Sequence, residues 1–359
     1  MKKLRLGVIG AGSYTVKSHL PNLQKWSDKI DFVSISRLEE APLERIKNRF
    51  GFEQATTDWQ EVLEAEIDLV IVGTPARFHH EQVKAALESG AHVMCEKPFT
   101  IDPSHAWDLD ATAKALDRHL VVSLGRNYLP VVQQAKKLMS EDGGIGEVEQ
   151  MTIHMASVHR ELLLGDTGVH PSSAPESNPI PATWTDPAIS GGGYGQGQLS
   201  HLLGVALWLT ELRGREVFAF MSSPLKTKVE YHVAASVGYT NGAIGTVGGG
   251  ACHMGSNENR QQFDIRIIGS EGQLHLDMER DLLWRYKGPD DDIKVQLEDK
   301  AGLYNCDGPI DTIVRLALGE QVPNNSTAEL GARIVEILDG AYRSAKSGRS
   351  ESIDLDLSA

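Results

Sequence analysis

Cysteine is scarce in this sequence. Only three occur among 359 residues, at positions 95, 252 and 306, and none belongs to a C-x-x-C pair. A disulfide framework or a thiolate zinc site is therefore not expected. Basic charge is also short: 35 Lys and Arg stand against 49 Asp and Glu, a formal net charge of −14. Without a basic stripe, neither nucleic acid nor an anionic membrane surface is an expected partner. Long apolar runs are missing as well, and no segment approaches the roughly 20 residues that span a bilayer. The opening MKKLRLGVIGAG imitates a signal peptide, but its apolar run is short and glycines follow at once. These shortages point to a cytoplasmic protein in a reducing compartment. What the chain does have is 41% hydrophobic residues and length enough for about two domains.

Short apolar runs alternate with helical stretches through the first third. LRLGVIG (4–10), FVSIS (32–36), IDLVIVGTP (67–75), AHVMCE (91–96) and HLVVSLG (119–125) read as buried strands. Between them lie amphipathic segments such as HEQVKAALESG, with Gly90 placed to end its helix. Such alternation predicts a parallel sheet covered on both faces. After Gly125 the period changes. MTIHMASV, YHVAASVGY, FDIRII and LHLDM alternate apolar and polar residues, the mark of antiparallel strands with one covered face. The expected architecture is α/β: a doubly wound parallel sheet over 1–125, then an α+β domain over 126–359 with a large, open-faced, mostly antiparallel sheet. A helix with Leu330, Ile334, Ile337, Leu338 and Ala341 on one stripe closes that domain. Residues 161–190, rich in Pro, Ser and Gly, read as a long functional loop or lid.

VIGAGSYT sets Gly10 and Gly12 between the first strand and a helix, with Thr15 at the third position of G-x-G-x-x-G. Gly10 permits the tight turn, Gly12 admits a pyrophosphate, and the helix N-terminus favours its charge. Ser13 and Tyr14 complete the candidate phosphate turn. Where an acid commonly holds the ribose 2′-hydroxyl, this chain has Ser36 and Arg37. A hydroxyl and a guanidinium suit a 2′-phosphate. The cofactor is therefore read as NAD or NADP, with NADP favoured.

HVMCEKPFT (92–100) delivers Glu96, Lys97 and Pro98 together at a strand end. With GVIGAGSYTVKSHLPNL, DLVIVGTPARFHHEQVKAALESGAHVMCEKPFT, GGGYGQGQLSHLLGVALWL and AYRSAKSGR, nearly the whole chain resembles the Gfo/Idh/MocA oxidoreductases. The resemblance implies a Rossmann domain and an E-K-P triad beside the nicotinamide, with a cis Lys-Pro bond. It also implies that Lys97 reaches the substrate hydroxyl while Glu96 helps to hold the site. A buried lysine beside an oxidised, positively charged nicotinamide should have a depressed pKa, which suits a proton carrier in hydride transfer. Thr74, Pro75 and His79 match the family's cofactor-contacting turn, although its usual Asn is Ala76 here.

By the same resemblance, His201 sits where the family carries a catalytic histidine. The aspartate four residues earlier is Gly197, and a later acidic position is Gly204. Positions 197, 201 and 204 share one helical face, opposite Leu199, Leu202, Leu203 and Ala206. Two outcomes are open: His201 and Lys97 move the proton alone or with Gln198 or Tyr194, the missing acid leaving room for a larger sugar, or activity is altered. GRNYLP offers Asn127 and Tyr128 as substrate contacts, with Asn127 replacing a frequent Arg. His170 and Trp184 are candidate sugar contacts. His154, His159 and His170 fit no standard zinc spacing, and no metal is expected.

The expected function is NAD(P)-dependent hydride transfer at a hydroxyl-bearing carbon of a sugar, cyclitol or glycoside. The protein would be a homodimer or homotetramer assembled through the C-terminal sheet. Alternatives are a glycosidase that oxidises its sugar transiently, a non-enzymatic NAD(P)-binding sensor or repressor, and a reductase of an imine-like or linear-tetrapyrrole substrate.

Overall fold

A computed structural model describes residues 2–169, 178–253 and 261–353. Contacts divide the chain into two units. The first contains residues 1–125, 167–183 and 305–332. The second contains 126–166, 184–304 and 333–359. Besides the N-terminal stretch, the first unit thus draws in two later segments.

In the first unit, strands and helices alternate in chain order. They are β1 (Leu4–Ile9), α1 (Leu20–Gln24), β2 (Ile30–Ser36), α2 (Glu40–Phe50), β3 (Gln54–Thr56), α3 (Trp59–Leu63), β4 (Leu69–Val72), α4 (His79–Glu88), β5 (His92–Cys95), α5 (Pro103–Ala115) and β6 (Leu120–Val122). The sheet order is β3-β2-β1-β4-β5-β6, with every pair parallel. β4 is buried at all four residues, as a strand covered on both faces must be. Local chemistry sets the helix ends. Gly51 takes φ +78° after α2. Asp102 caps α5 by accepting the Ser104 amide at 2.8 Å, with Pro103 in the first helical position. The order reverses direction between β1 and β4, so the turns after these two strands flank the crevice where such sheets bind ligands. The helix Asp307–Ala317 supplies Ile310, Ile313 and Val314 to the same core as Leu6, Ile35 and Ile71.

The second unit is built on α6 (Pro130–Ser140), β7 (Val148–Ser157) and a helix that begins at Ser200. Strands β8 (Gly214–Ser222), β9 (His232–Tyr239), β10 (Ile244–Ala251), β11 (Gln262–Gly269), β12 (Gly272–Asp277), β13 (Leu282–Gly288), β14 (Asp291–Lys294) and β15 (Glu351–Ser352) complete a nine-stranded sheet. Its order is β14-β13-β12-β11-β7-β10-β9-β8-β15. The sheet is mostly antiparallel, as the strand period predicts; the exception is β7 and β10, which run parallel from Ile244 opposite Gln150 to Ala251 opposite Ser157. Alternation reveals that one face is covered; it does not reveal which way a distant partner runs. One face is buried through Phe263, Ile265 and Ile267. The other leaves Phe220 at 69% and Ile244 at 64% exposure, with Ile268 also exposed. No helix of the described residues is long and apolar enough to cross a membrane.

Candidate functional site

The nucleotide half begins where β1 ends. A Cβ on Gly10, whose φ is +87°, would lie 2.7 Å from the Thr74 amide nitrogen and 2.9 Å from the Gly73 carbonyl carbon. Only glycine allows the turns after β1 and β4 to approach this closely. At Gly12 the space is open: the nearest atom to a Cβ there would be the Gly73 oxygen at 3.7 Å. Ser13 and Tyr14 follow, and the chain then enters a π-helical turn, Thr15–His19, that continues directly into α1. Thr15 Oγ1 donates to the Gly10 carbonyl at 3.0 Å and so closes the turn from inside. These features fit a dinucleotide: a tight glycine turn, an uncrowded second glycine, and a helix beginning beside them.

Ser36 is buried at the end of β2. Arg37 reaches back, its Nη1 donating to the Ala11 carbonyl at 2.9 Å and its Nε to Glu39 Oε2 at 2.7 Å. The Ser36–Arg37 pair therefore comes with an acid two residues on.

After β4, the Thr74–Pro75 turn is fixed by His79. This ring is fully buried; its Nε2 lies 2.6 Å from the Thr74 carbonyl and its Nδ1 3.0 Å from the carbonyls of Pro98 and Phe99. Burial lowers its pKa against the pull of those carbonyls and of Glu96. His79 thus joins the β4 turn to the turn after β5 and is closed off within the fold.

At the end of β5, Glu96 is buried and Lys97 half-buried. The Lys97–Pro98 peptide is cis, in accord with the family resemblance. Glu96 Oε1 accepts from His19 Nε2 at 2.6 Å, and Oε2 accepts the Lys97 amide at 3.1 Å. Burial opposes ionisation of Glu96. The His19 ring, Lys97 and Ser123 outweigh it and hold the carboxyl below its ordinary value. The sequence does not single out His19, although it lies nine residues after Gly10. Its partner is 77 positions away, and no local pattern announces it. Cys306 brings its thiol to 3.4 Å from the Ser123 hydroxyl.

In the second unit the glycine-rich run GGGYG leads into a π-helical turn, Gly195–Leu199, and the helix Ser200–Thr210. π-helical turns recur at functional sites, and among the described residues each unit has one. His201 is buried, edge-on to Tyr304 with ring centroids 5.1 Å apart. Nearly the whole helix is buried, including Gly204 and Val205, so the expected contrast between an apolar stripe and a site-facing stripe does not hold. Gln198 is buried. Tyr194 is buried with its hydroxyl between Ser157 Oγ, 2.8 Å away, and the Met155 carbonyl, and burial pushes its phenol pKa upward. Its role in the fold is to anchor the glycine run to β7.

Asn127 is also structural in setting. It is fully buried, with Nδ2 donating to the Gly204 carbonyl at 3.2 Å and its own carbonyl accepting from Gln133. Tyr128 is half-buried. Its neighbour Arg126 was passed over in the sequence, yet its guanidinium stacks 4.4 Å from the Phe263 ring centre and 5.1 Å from that of Tyr304. Gly197 faces Trp184: a Cβ there would come within 3.9 Å of that ring and of nothing nearer. His159 lies 5.8 Å from Trp184 and donates or accepts a 3.0 Å bond with Ser157. His170 lies outside the described residues.

Comparison with known proteins adds an independent finding. Residues 4–124 match a family described as "Oxidoreductase family, NAD-binding Rossmann fold", and residues 132–275 match "GFO/IDH/MocA C-terminal domain". The chain is similar to the D-glucoside 3-dehydrogenase of Escherichia coli K12, 33% identical over 40% of this chain and 41% of that one. It is also similar to the levoglucosan dehydrogenase of Pseudarthrobacter phenanthrenivorans, 30% identical over 65% of this chain and 61% of that one. These matches span less than two thirds of either relative's length. Among solved structures, a levoglucosan dehydrogenase complexed with NADH and levoglucosan aligns over 98% of this chain and 100% of its own, with a TM-score of 0.77 at 21% identity. An oxidoreductase domain protein from Kribbella flavida aligns over 99% of this chain and 100% of its own, with a TM-score of 0.79 at 21% identity. Those likenesses establish the fold.

Removing the His19 partner should expose the worth of the buried pair. His19→Phe removes the 2.6 Å hydrogen bond to a buried carboxylate, at a cost of about 1.5–3 kcal/mol. Because the folded Glu96 pKa is depressed, its contribution is complete above the ordinary glutamate value of 4.5 and is lost as pH falls through the folded value. Urea unfolding at neutral and acid pH should show a deficit that narrows below about pH 4.5. An equal deficit at both would mean that the pair does not control Glu96.

Proposed function

Given a chain that belongs to the Gfo/Idh/MocA family of NAD-binding Rossmann oxidoreductases, we propose that it transfers hydride between a nicotinamide dinucleotide and a hydroxyl-bearing carbon of a sugar, cyclitol or glycoside. The observation that carries this is the arrangement at the end of β5. A half-buried lysine follows a buried carboxylate that is itself held by the helix leaving the glycine turn. The relatives' names support a carbohydrate substrate.

The nicotinamide supplies the hydride chemistry when bound. The chain's own work is to orient and to move a proton. Gly10, Gly12, Ser13 and Tyr14 receive the pyrophosphate; Thr74 and Pro75, braced by His79, border the cofactor; Glu96 fixes the backbone at Lys97. In oxidation, the Lys97 amine takes the proton from the substrate hydroxyl as that carbon releases hydride; in reduction the ammonium returns it. We assign His201 as the partner of Lys97 in proton handling and the second unit, with Gln198, Tyr128 and Trp184, to substrate binding. Tyr194 and Asn127 support this half from behind.

The choice of dinucleotide turns on Arg37. A 2′-phosphate must compete with Glu39, which already accepts from the guanidinium. Carboxylate and phosphate repel, so the geometry favours NAD over the NADP that Ser36 and Arg37 alone would indicate. The open sheet face, with Phe220, Ile244 and Ile268 exposed, is proposed as the contact with a second copy. Three uncrosslinked cysteines support a cytoplasmic setting.

Three outcomes test this. Lys97→Met should lower kcat by about 10²–10⁴, the usual worth of a general base, while cofactor fluorescence still reports binding; retained turnover would falsify the assignment. Initial rates should favour NAD, and Glu39→Gln should raise relative use of NADP about tenfold, equivalent to 1.4 kcal/mol. Phe220→Glu should shift the sedimentation coefficient toward monomer, and an unaltered assembly would place the contact elsewhere.

A further inference from the structure

The glycines of GGGYG wrap a buried carboxylate. Glu230 lies just before β9 and is buried. Its Oε1 and Oε2 accept the Gly193 amide at 3.1 and 2.9 Å, and Oε1 also accepts the Gly195 amide at 2.8 Å. Tyr342, on the helix Ala328–Ser347, donates its hydroxyl to Oε1 at 2.7 Å and accepts the Gln196 amide at 3.2 Å. The Glu230 carbonyl accepts the Tyr194 amide at 3.0 Å. Four consecutive amides, 193 to 196, thus end on two residues.

That closeness explains the glycines. A Cβ at Gly192 would lie 2.0 Å from the Tyr342 hydroxyl oxygen, and one at Gly193 2.1 Å from the Glu230 carbonyl oxygen. At Gly195 the obstacles are the Tyr342 hydroxyl at 2.9 Å and Glu230 Oε1 at 3.2 Å. The run continues without a break through Gly197 and Gln198 to His201.

We infer that Glu230 and Tyr342 are positioning residues: they set where the π-helical turn begins and thereby aim Gln198 and His201 at the substrate. This inference rests on the hydride-transfer reading above. The carboxylate is suited to the task because it can take several N–H donors at once, and charge-assisted bonds are about twice as strong as neutral ones. Such a nest fixes backbone direction, which a packed apolar side chain would leave loose.

The test is a double-mutant cycle on the full chain. Tyr342→Phe should lower kcat about tenfold while KM for the dinucleotide stays within about twofold, because the first unit is untouched. Gly195→Ala should lower kcat further, and its effect should shrink in the Y342F background, where the hydroxyl it meets is gone. Additive effects, or an unchanged kcat in Tyr342→Phe, would overturn the inference. Amide hydrogen exchange supplies a readout that needs no turnover: Glu230→Gln and Tyr342→Phe should speed exchange across 193–201 with little change in β1–β6. Unaltered exchange would sink the positioning role even in an inactive enzyme. A wild-type protein that oxidises no carbohydrate, yet shows the exchange effect, would fail the proposed reaction and leave the clamp standing.

Discussion

One buried contact governs the nucleotide half: the 2.6 Å bond between His19 and Glu96. Glu96 stands at the end of β5, whose register with β4 is fixed by parallel pairing from Leu69 opposite His92 to Val72 opposite Cys95. His19 stands at the end of the turn that begins with the glycines. Their bond makes the glycine turn and the lysine strand end parts of one rigid object. A charged group taken out of water must be paired closely or it destabilises the fold. Loss of either partner therefore costs stability and aim together. His79 repeats the device one strand earlier with backbone carbonyls as its partners.

Much of this half was legible in the sequence because its chemistry is local. The glycine turn follows its strand directly, and Glu96, Lys97 and Pro98 are consecutive. The order of short apolar runs gave the parallel sheet, since a strand covered on both faces has no polar residues to spare. His19 was not legible, because nothing within its own helix requires a carboxylate. Glu39 could have been weighed: it lies two positions from Arg37, and an arginine beside an acid is a different ligand for phosphate than an arginine alone.

The second half was less legible, for the same physical reason. Period-two alternation located β7, β9, β11 and β12 but carries no information on partner direction, so the parallel β7–β10 pair came only with the structure. The missing acid at Gly197 looked like room for a larger sugar, and Gly197 does face open space up to Trp184. Gly192, Gly193 and Gly195 answer instead to Glu230 and Tyr342, residues far downstream. By the family resemblance Tyr194 and Asn127 read as substrate contacts; in the structure the Tyr194 hydroxyl meets Ser157 and the Asn127 side-chain amide donates to the Gly204 carbonyl.

The composition of the first unit has a consequence for how the chain is made. Strand β6 is completed from far downstream: the Val122 amide donates to the Ser326 carbonyl at 2.8 Å, and Asn324 Nδ2 donates to the Leu120 carbonyl at 3.1 Å. Ile310, Ile313 and Val314 fill the same core as β1 and β2. A ribosome that has finished the six strands has therefore not finished the unit. The nascent sheet must wait through some two hundred further residues, at about 5–20 residues per second, with an apolar flank uncovered. In a cell, that interval is where chaperone dependence and aggregation would concentrate.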